Sequence, residues 1–116
     1  MDLVQASQAH AEWKVRLRTA INKKEHLDAA AITADDRCAL GQWLHGAGRA
    51  EYGSHAEFAA VVEKHAAFHR EAGAVAAAIN AGDFDRATGM LNPGTPYANA
   101  TNAVGTALHG LKRVTL

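Results

Sequence analysis

The stretch Phe58-Ala59-Ala60-Val61-Val62-Glu63-Lys64-His65-Ala66-Ala67-Phe68-His69 decides how this chain is read. Its apolar residues recur at three- and four-residue steps, the period of a helix with one buried face. Ala72, Val75, Ala76 and Ile79 continue that face. His65 and His69 stand four apart, so both rings leave the helix on the apolar side, one turn from each other. A ring nitrogen buried there without a partner is costly. Two core histidines satisfied by carbonyls meet that demand, and so does a pair sharing one metal ion.

Outward from this stretch, Ser54-His55-Ala56-Glu57 has the spacing of a capping box, which predicts the start of the helix. The helix should run to about Ala81 and stop at Gly82. Asp83 then predicts a fresh N-cap and a short helix over roughly 84–91. Asn92-Pro93-Gly94 breaks the chain, and Thr95-Pro96 places a cap residue before a proline at the first helical position. A last helix follows, with Tyr97, Thr101, Val104, Leu108 and Leu111 on one stripe. Toward the N-terminus, Leu3, Ala6, His10, Trp13, Leu17 and Ala20 predict one helix over roughly residues 2–26. His10 lies in that seam. Residues 28–35 read as a connection to a short helix capped by Asp35 or Asp36. With Asp35 as the cap, Cys38 falls at the third helical position, and the helix ends near Gly46 and Gly48. Gly41, one turn from Cys38, either admits another helix closely or weakens a short one.

Alanine is the commonest residue and strand-like alternation is absent, so the fold class is all-α. Three long and two short helices joined by short connections predict an antiparallel four-helix-type bundle with an additional short helix. The 116 residues fit a single domain over 1–116 with its own core. Twelve basic residues balance twelve acidic ones. No basic patch suggests nucleic acid, and no apolar run is long enough to span a bilayer. The first residues lack the charged-then-apolar order of a secretory leader. One cysteine, Cys38, excludes an internal disulfide, and the expected location is the cytoplasm.

Seven histidines with a single cysteine direct attention to metal chemistry. His10, His65 and His69 sit on seams that face the bundle interior. Cys38 sits in a first helical turn, where the helix dipole favours negative charge on sulfur. Three imidazoles and one thiolate are the donors that zinc takes in a tetrahedron. A lone histidine on an apolar face is more often a core residue held by a carbonyl, and a lone helical cysteine a small buried hydrophobe. Three seam histidines, with few acidic residues nearby to satisfy them, are harder to explain that way. His26, His45, His55 and His109 read as ordinary surface residues. Trp13 and Trp43 read as core residues that keep water from the site.

The segment Asp36-Arg37-Cys38-Ala39-Leu40-Gly41-Gln42-Trp43-Leu44 resembles the Cys-x-x-Gly-x-Trp motif of the chemoreceptor zinc-binding domain, CZB. The His10-x-x-Trp13 element, the His65-x-x-x-His69 pair and Gly94-Thr95-Pro96-Tyr97 are similar to other parts of its pattern. The resemblance implies Zn2+ held by His10, Cys38, His65 and His69, and a homodimeric helical bundle. It implies a sensory role in chemotaxis or other signal transduction, attached to a cytoplasmic chemoreceptor or a diguanylate cyclase. It also implies response to zinc, or to hypochlorous acid through a redox-reactive Cys38. The chain has no long heptad region and no cyclase domain, so it is either a fragment of a larger receptor or a free-standing unit; a fragment coupled to an output domain of the same chain is the favoured expectation.

Three other readings remain in view. A zinc-stapled dimerisation module without sensing fits the same residues. A di-iron bundle of the hemerythrin kind wants Glu-x-x-His spacing, which neither Glu57 nor Glu63 gives to His65 or His69. Four protein ligands would also close a zinc site to catalysis, so no enzymatic activity is expected. A phosphotransfer bundle needs an exposed histidine; the seam positions argue against that for His10, His65 and His69, though not for His109.

Overall fold

The computed structural model describes residues 1–115; Leu116, the last residue of the expected domain, lies outside them. The described residues are helical with no strand, and the all-α expectation holds. The helices are α1 (Leu3–Ala11), α2 (Trp13–Lys23), α3 (Ala29–Thr33), α4 (Ala39–His45), α5 (Ala47–Tyr52), α6 (Ala56–Asn80), α7 (Phe84–Met90) and α8 (Pro96–Val114). They form a bundle of 43 × 25 × 19 Å.

The frame is α6 packed against α8, with α1 on α8 and α3 on α6. Each of these long helices buries the stripe its sequence marks out. On α6 the buried residues include Phe58, Val61, Ala72, Val75, Ala76 and Ile79, and on α8 Tyr97, Val104, Leu108 and Leu111. Val62 and Thr101 lie at the stripe edges and are only half-buried. Chain breaks fall where turn chemistry puts them. Gly82 takes φ +77°, the left-handed conformation that a glycine adopts without strain. Asp83 accepts from the Arg86 N–H at 3.3 Å, and Thr95 Oγ1 from the Ala98 N–H at 3.2 Å.

The first long helix holds nearly as expected: Glu12, between α1 and α2, keeps helical φ −68° and ψ −18° with its N–H on the Gln8 carbonyl and its own carbonyl on the Arg16 N–H, and the helix ends where Lys24 turns left-handed at φ 53°, a little short of the expected end. Three local expectations are corrected. Residues 28–35 are more than a connection. Asp28 accepts from the Ala31 N–H at 3.1 Å and starts α3 on three alanines, which are good helix formers. Beyond Gly46, where the short helix ends as expected, the chain adds α5, which the sequence reading did not include. The Ser54–Glu57 capping box does not form; His55 occupies the N-cap of α6 with no side-chain cap bond.

Candidate metal centre

His10 lies near the end of α1, on the face that buries Leu3 and Ala6. Its Nδ1 donates to the Ala6 carbonyl at 2.7 Å. His65 and His69 lie mid-way along α6 and are buried on its apolar face. His69 Nδ1 donates to the Ile32 carbonyl of α3 at 2.8 Å. A carbonyl oxygen only accepts, so both rings carry their proton on Nδ1 and leave Nε2 as a bare lone pair. Such backing is typical of metal-binding histidines.

The fourth donor arrives differently from the expected way. Cys38, not Asp35, is the N-cap of α4, with extended φ −87° and ψ 163°, and its Sγ accepts from the Gly41 N–H at 3.4 Å. A Cβ on Gly41 would overlap the Asp35 carbonyl oxygen, so the glycine admits the preceding loop rather than another helix. Trp43 completes the motif from the other side. Its ring centroid lies 6.0 Å from that of Phe58 and 6.1 Å from that of Tyr52, and a Cβ on Gly48 would come within 2.6 Å of it. Cysteine, glycine and tryptophan at this spacing thus turn the sulfur inward, close the loop behind it and anchor the short helix.

The four side chains meet at one point, their donor atoms all within 4.8 Å of one another. Cys38 Sγ lies 3.3 Å from His65 Nε2, 3.7 Å from His69 Nε2 and 3.9 Å from His10 Nε2. His65 and His69 Nε2 are 3.0 Å apart. A tetrahedron with zinc–nitrogen and zinc–sulfur bonds of about 2.0 and 2.3 Å has edges of about 3.3 Å between nitrogens and about 3.5 Å between nitrogen and sulfur. The three sulfur–nitrogen distances bracket the second edge, and the His65–His69 nitrogen pair lies slightly inside the first. The Nε2 lone pairs of His10 and His69 thus face the same point as His65 Nε2 and the Cys38 sulfur, the arrangement a central cation requires. The donor set therefore fits zinc.

Electrostatics point the same way. Burial, then the neighbouring His69, His10 and His45 rings, push the His65 pKa down to about 3. Burial also lowers that of His10, against the Ala6 hydrogen bond that raises it. These rings stay neutral near pH 7, the form that binds metal. His65 Nδ1 is buried with no hydrogen-bond partner, so this ligand lacks the backing that carbonyls give the other two. Phe68 walls the site, its ring edge-on to His10 at 5.1 Å and to His69 at 5.4 Å.

Cys38 is only half-buried, the one donor of the four that is not buried. It shares with His69 a cavity of about 690 Å³, lined also by Trp13, Leu17, Leu27 and Ile32, with Arg16 and Arg37 among its charged residues. Trp13 and Trp43 are half-buried rather than core residues; Trp13 is a cavity wall with the Arg16 guanidinium stacked 3.8 Å over its ring. His26, His45, His55 and His109 are exposed, as expected. The sequence reading missed the Ile32 carbonyl. Asp28 ahead of three alanines was the signal for α3, but no sequence pattern shows which carbonyl a buried ring will meet.

A profile of the chemoreceptor zinc-binding domain family matches residues 10–76, more than half of the chain, from His10 through His69 and beyond. The Gly94-Thr95-Pro96-Tyr97 segment lies outside the matched stretch. Searches of curated proteins and of solved structures returned no match. The chain belongs to the chemoreceptor zinc-binding domain family, and Zn2+ is the metal that the family and the donor set both support.

Proposed function

We propose that this chain is a sensory domain in which His10, Cys38, His65 and His69 hold one Zn2+ and Cys38 reads out oxidant. The convergence of four donors from α1, the start of α4 and α6 carries the reading. Bound zinc would keep Cys38 as a thiolate at neutral pH. The histidines supply neutral Nε2 donors, fixed in orientation by the Ala6 and Ile32 carbonyls for His10 and His69. The cavity beside Cys38 gives a small neutral oxidant a route to the sulfur. The Cys38 thiolate passes two electrons to hypochlorous acid; a sulfenic acid forms on sulfur and chloride leaves. A sulfenic acid is a weaker donor than a thiolate. The Cys38 end of α4 would then leave the three histidines, and that displacement is the signal to an output domain. A change in zinc occupancy would use the same movement.

The domain reading extends over residues 1–116 as one non-catalytic regulatory unit of a larger cytoplasmic receptor. A second copy of the chain is its expected partner, supported by the cleft between α1 and α8, where Val4 is 44% exposed. No helix among the described residues is long and apolar enough to cross a membrane.

Elemental analysis of purified protein should find about one zinc per chain, strongly reduced in Cys38→Ala. Protein without zinc, or zinc content indifferent to Cys38→Ala, sinks the site. Stoichiometric hypochlorous acid should modify Cys38 and free the metal; an unmodified Cys38 with its metal retained defeats the redox arm alone. The burial of all three histidines also favours a purely structural staple. That reading gains if neither physiological zinc levels nor oxidant doses change the conformation.

A further inference from the structure

We infer that Asn80 is a positioning residue for the metal centre: it clasps Leu27, seats α3 along α6, and so holds the Ile32 carbonyl that orients the His69 ring. The functional consequence rests on the zinc reading above; the clasp itself does not.

Asn80 is the last residue of α6, and Leu27 lies 53 residues earlier. The Leu27 N–H donates to Asn80 Oδ1 at 2.8 Å, and Asn80 Nδ2 donates to the Leu27 carbonyl at 2.7 Å. This pairing needs one acceptor and one donor on the same head group, which a side-chain amide has and a carboxylate lacks. It fixes the chain one residue ahead of Asp28, the cap of α3. A helix of five residues has no stability of its own, so its place is set by what ties it down.

At the other end of α3, Thr33 lies against Gly73. A Cβ on Gly73 would overlap Thr33 Oγ1 and come within 2.8 Å of Thr33 Cβ. Between the two ties sits Ile32, buried, with its carbonyl on His69 Nδ1 at 2.8 Å. His69, Gly73 and Asn80 are spaced four and seven residues apart and share one stripe of α6. The stripe spans about 16 Å at about 1.5 Å per residue. Thus α3 lies along α6, held at both ends, with the metal-facing contact between them. Asn80 lies beyond the segment that matches the family profile.

Removing the partner that orients a metal-binding histidine costs about 10- to 100-fold in affinity. Competition with a chromophoric chelator should therefore show zinc bound about 10- to 100-fold more weakly by Asn80→Ala than by the native chain. The decisive comparison is the cycle with His69→Ala. Once His69 is gone, its orientation no longer matters, and Asn80→Ala should cause no further loss. An equal loss in both backgrounds would reduce Asn80 to general stability and overturn the inference, as would an unchanged affinity in Asn80→Ala.

Gly73→Ala supplies a variant that disturbs α3 without weakening α6, because alanine is the better helix former. It should also bind zinc more weakly; affinity equal to the native chain counts against the clasp. A readout in metal-free protein separates this inference from the zinc reading. By nitrogen-15 NMR of the imidazoles, the His69 Nδ1 proton should be protected in the native chain and exchange faster in Asn80→Ala. Equal protection in both overturns the positioning role whether or not the native chain binds zinc.

Discussion

The metal centre joins two regions of unlike construction. Helices α1 and α6 bring the histidines, with α8 packed against both, and α6 alone buries eleven of its 25 residues. The segment from Asp28 to Gly53 brings the sulfur and the Ile32 carbonyl on three helices of five, seven and six residues. Those three helices bury only Ile32, Leu40, Gly41, Leu44 and Gly48, two of them glycines with no side chain to contribute. Local stability follows buried apolar contact, so the first region should hold without metal and the second should depend on it. The chemistry divides along the same line. The three buried imidazoles sit on the side with the larger core, and the half-buried sulfur, which the proposed function makes the oxidant target, sits on the side with the smaller one.

The largest expected effect comes from metal. Free zinc at about 1,000 times its dissociation constant should stabilise the fold by about 4 kcal/mol. Chelation should return that stability unevenly. Amides of α4 and α5 should exchange at rates near those of unstructured chain, while the buried face of α6 and its partners on α8 stay protected. Hydrogen exchange resolved along the chain checks this. A uniform rise across both regions would erase the distinction between them.

Proton uptake by the frame gives a smaller effect. In metal-free protein the His65 pKa is lowered to about 3 from an ordinary 6.5, so the unfolded chain binds the proton more readily than the folded one. Stability from neutral His65 is fully present above about pH 6.5 and is lost as pH falls toward 3, at about 1.4 kcal/mol per pH unit. His10, also lowered by burial, adds to the loss in the same direction. Denaturant titrations of metal-free protein at pH 6.5 and 4.5 should differ by about 2–3 kcal/mol from His65 alone. His65→Leu should remove that part of the slope. An undiminished slope in the variant would place the acid sensitivity elsewhere, and the frame would no longer be the region that senses protons.

The two regions also differ in how far their sequence discloses them. On α6 and α8 the apolar period, Gly82, Asp83 and Thr95 each act within one or two turns, and local signals of that range are legible. The convergence of four side chains was legible too, because burial of His10, His65 and His69 follows from the same period and Cys38 lies in a segment that resembles a specific motif. Between residues 24 and 53 the deciding contacts are distant or backbone-borne. Leu27 is held by Asn80, Ile32 matters through its carbonyl, and Gly41 through its approach to the Asp35 oxygen. None of these depends on side-chain period, so the sequence offers Asp35 or Asp36 as the cap of a helix that Cys38 itself caps.

Two caps on either side of that divide give the finest test. Thr95 Oγ1 accepts from the Ala98 N–H at 3.2 Å and has its single proton within reach of the carbonyls of Met90 and Asn92, each at 2.8 Å. Ser54, which has the better sequence signature, is exposed and makes no cap bond to α6. Thr95→Ala should therefore cost about 1 kcal/mol and Ser54→Ala less than about 0.5 kcal/mol, read from denaturant midpoints at constant slope. The reason for the asymmetry lies upstream of each cap. Thr95 follows a break fixed by Pro93 and by Gly94 at φ 82°, which points its hydroxyl at the first turn of α8. Ser54 follows Gly53 at the end of α5, and with α5 in place the chain enters α6 through His55 instead. Equal costs for the two variants would mean that α5 gives way to the capping box in solution, and the short-helix region would then be less ordered than the frame even at its junction with α6.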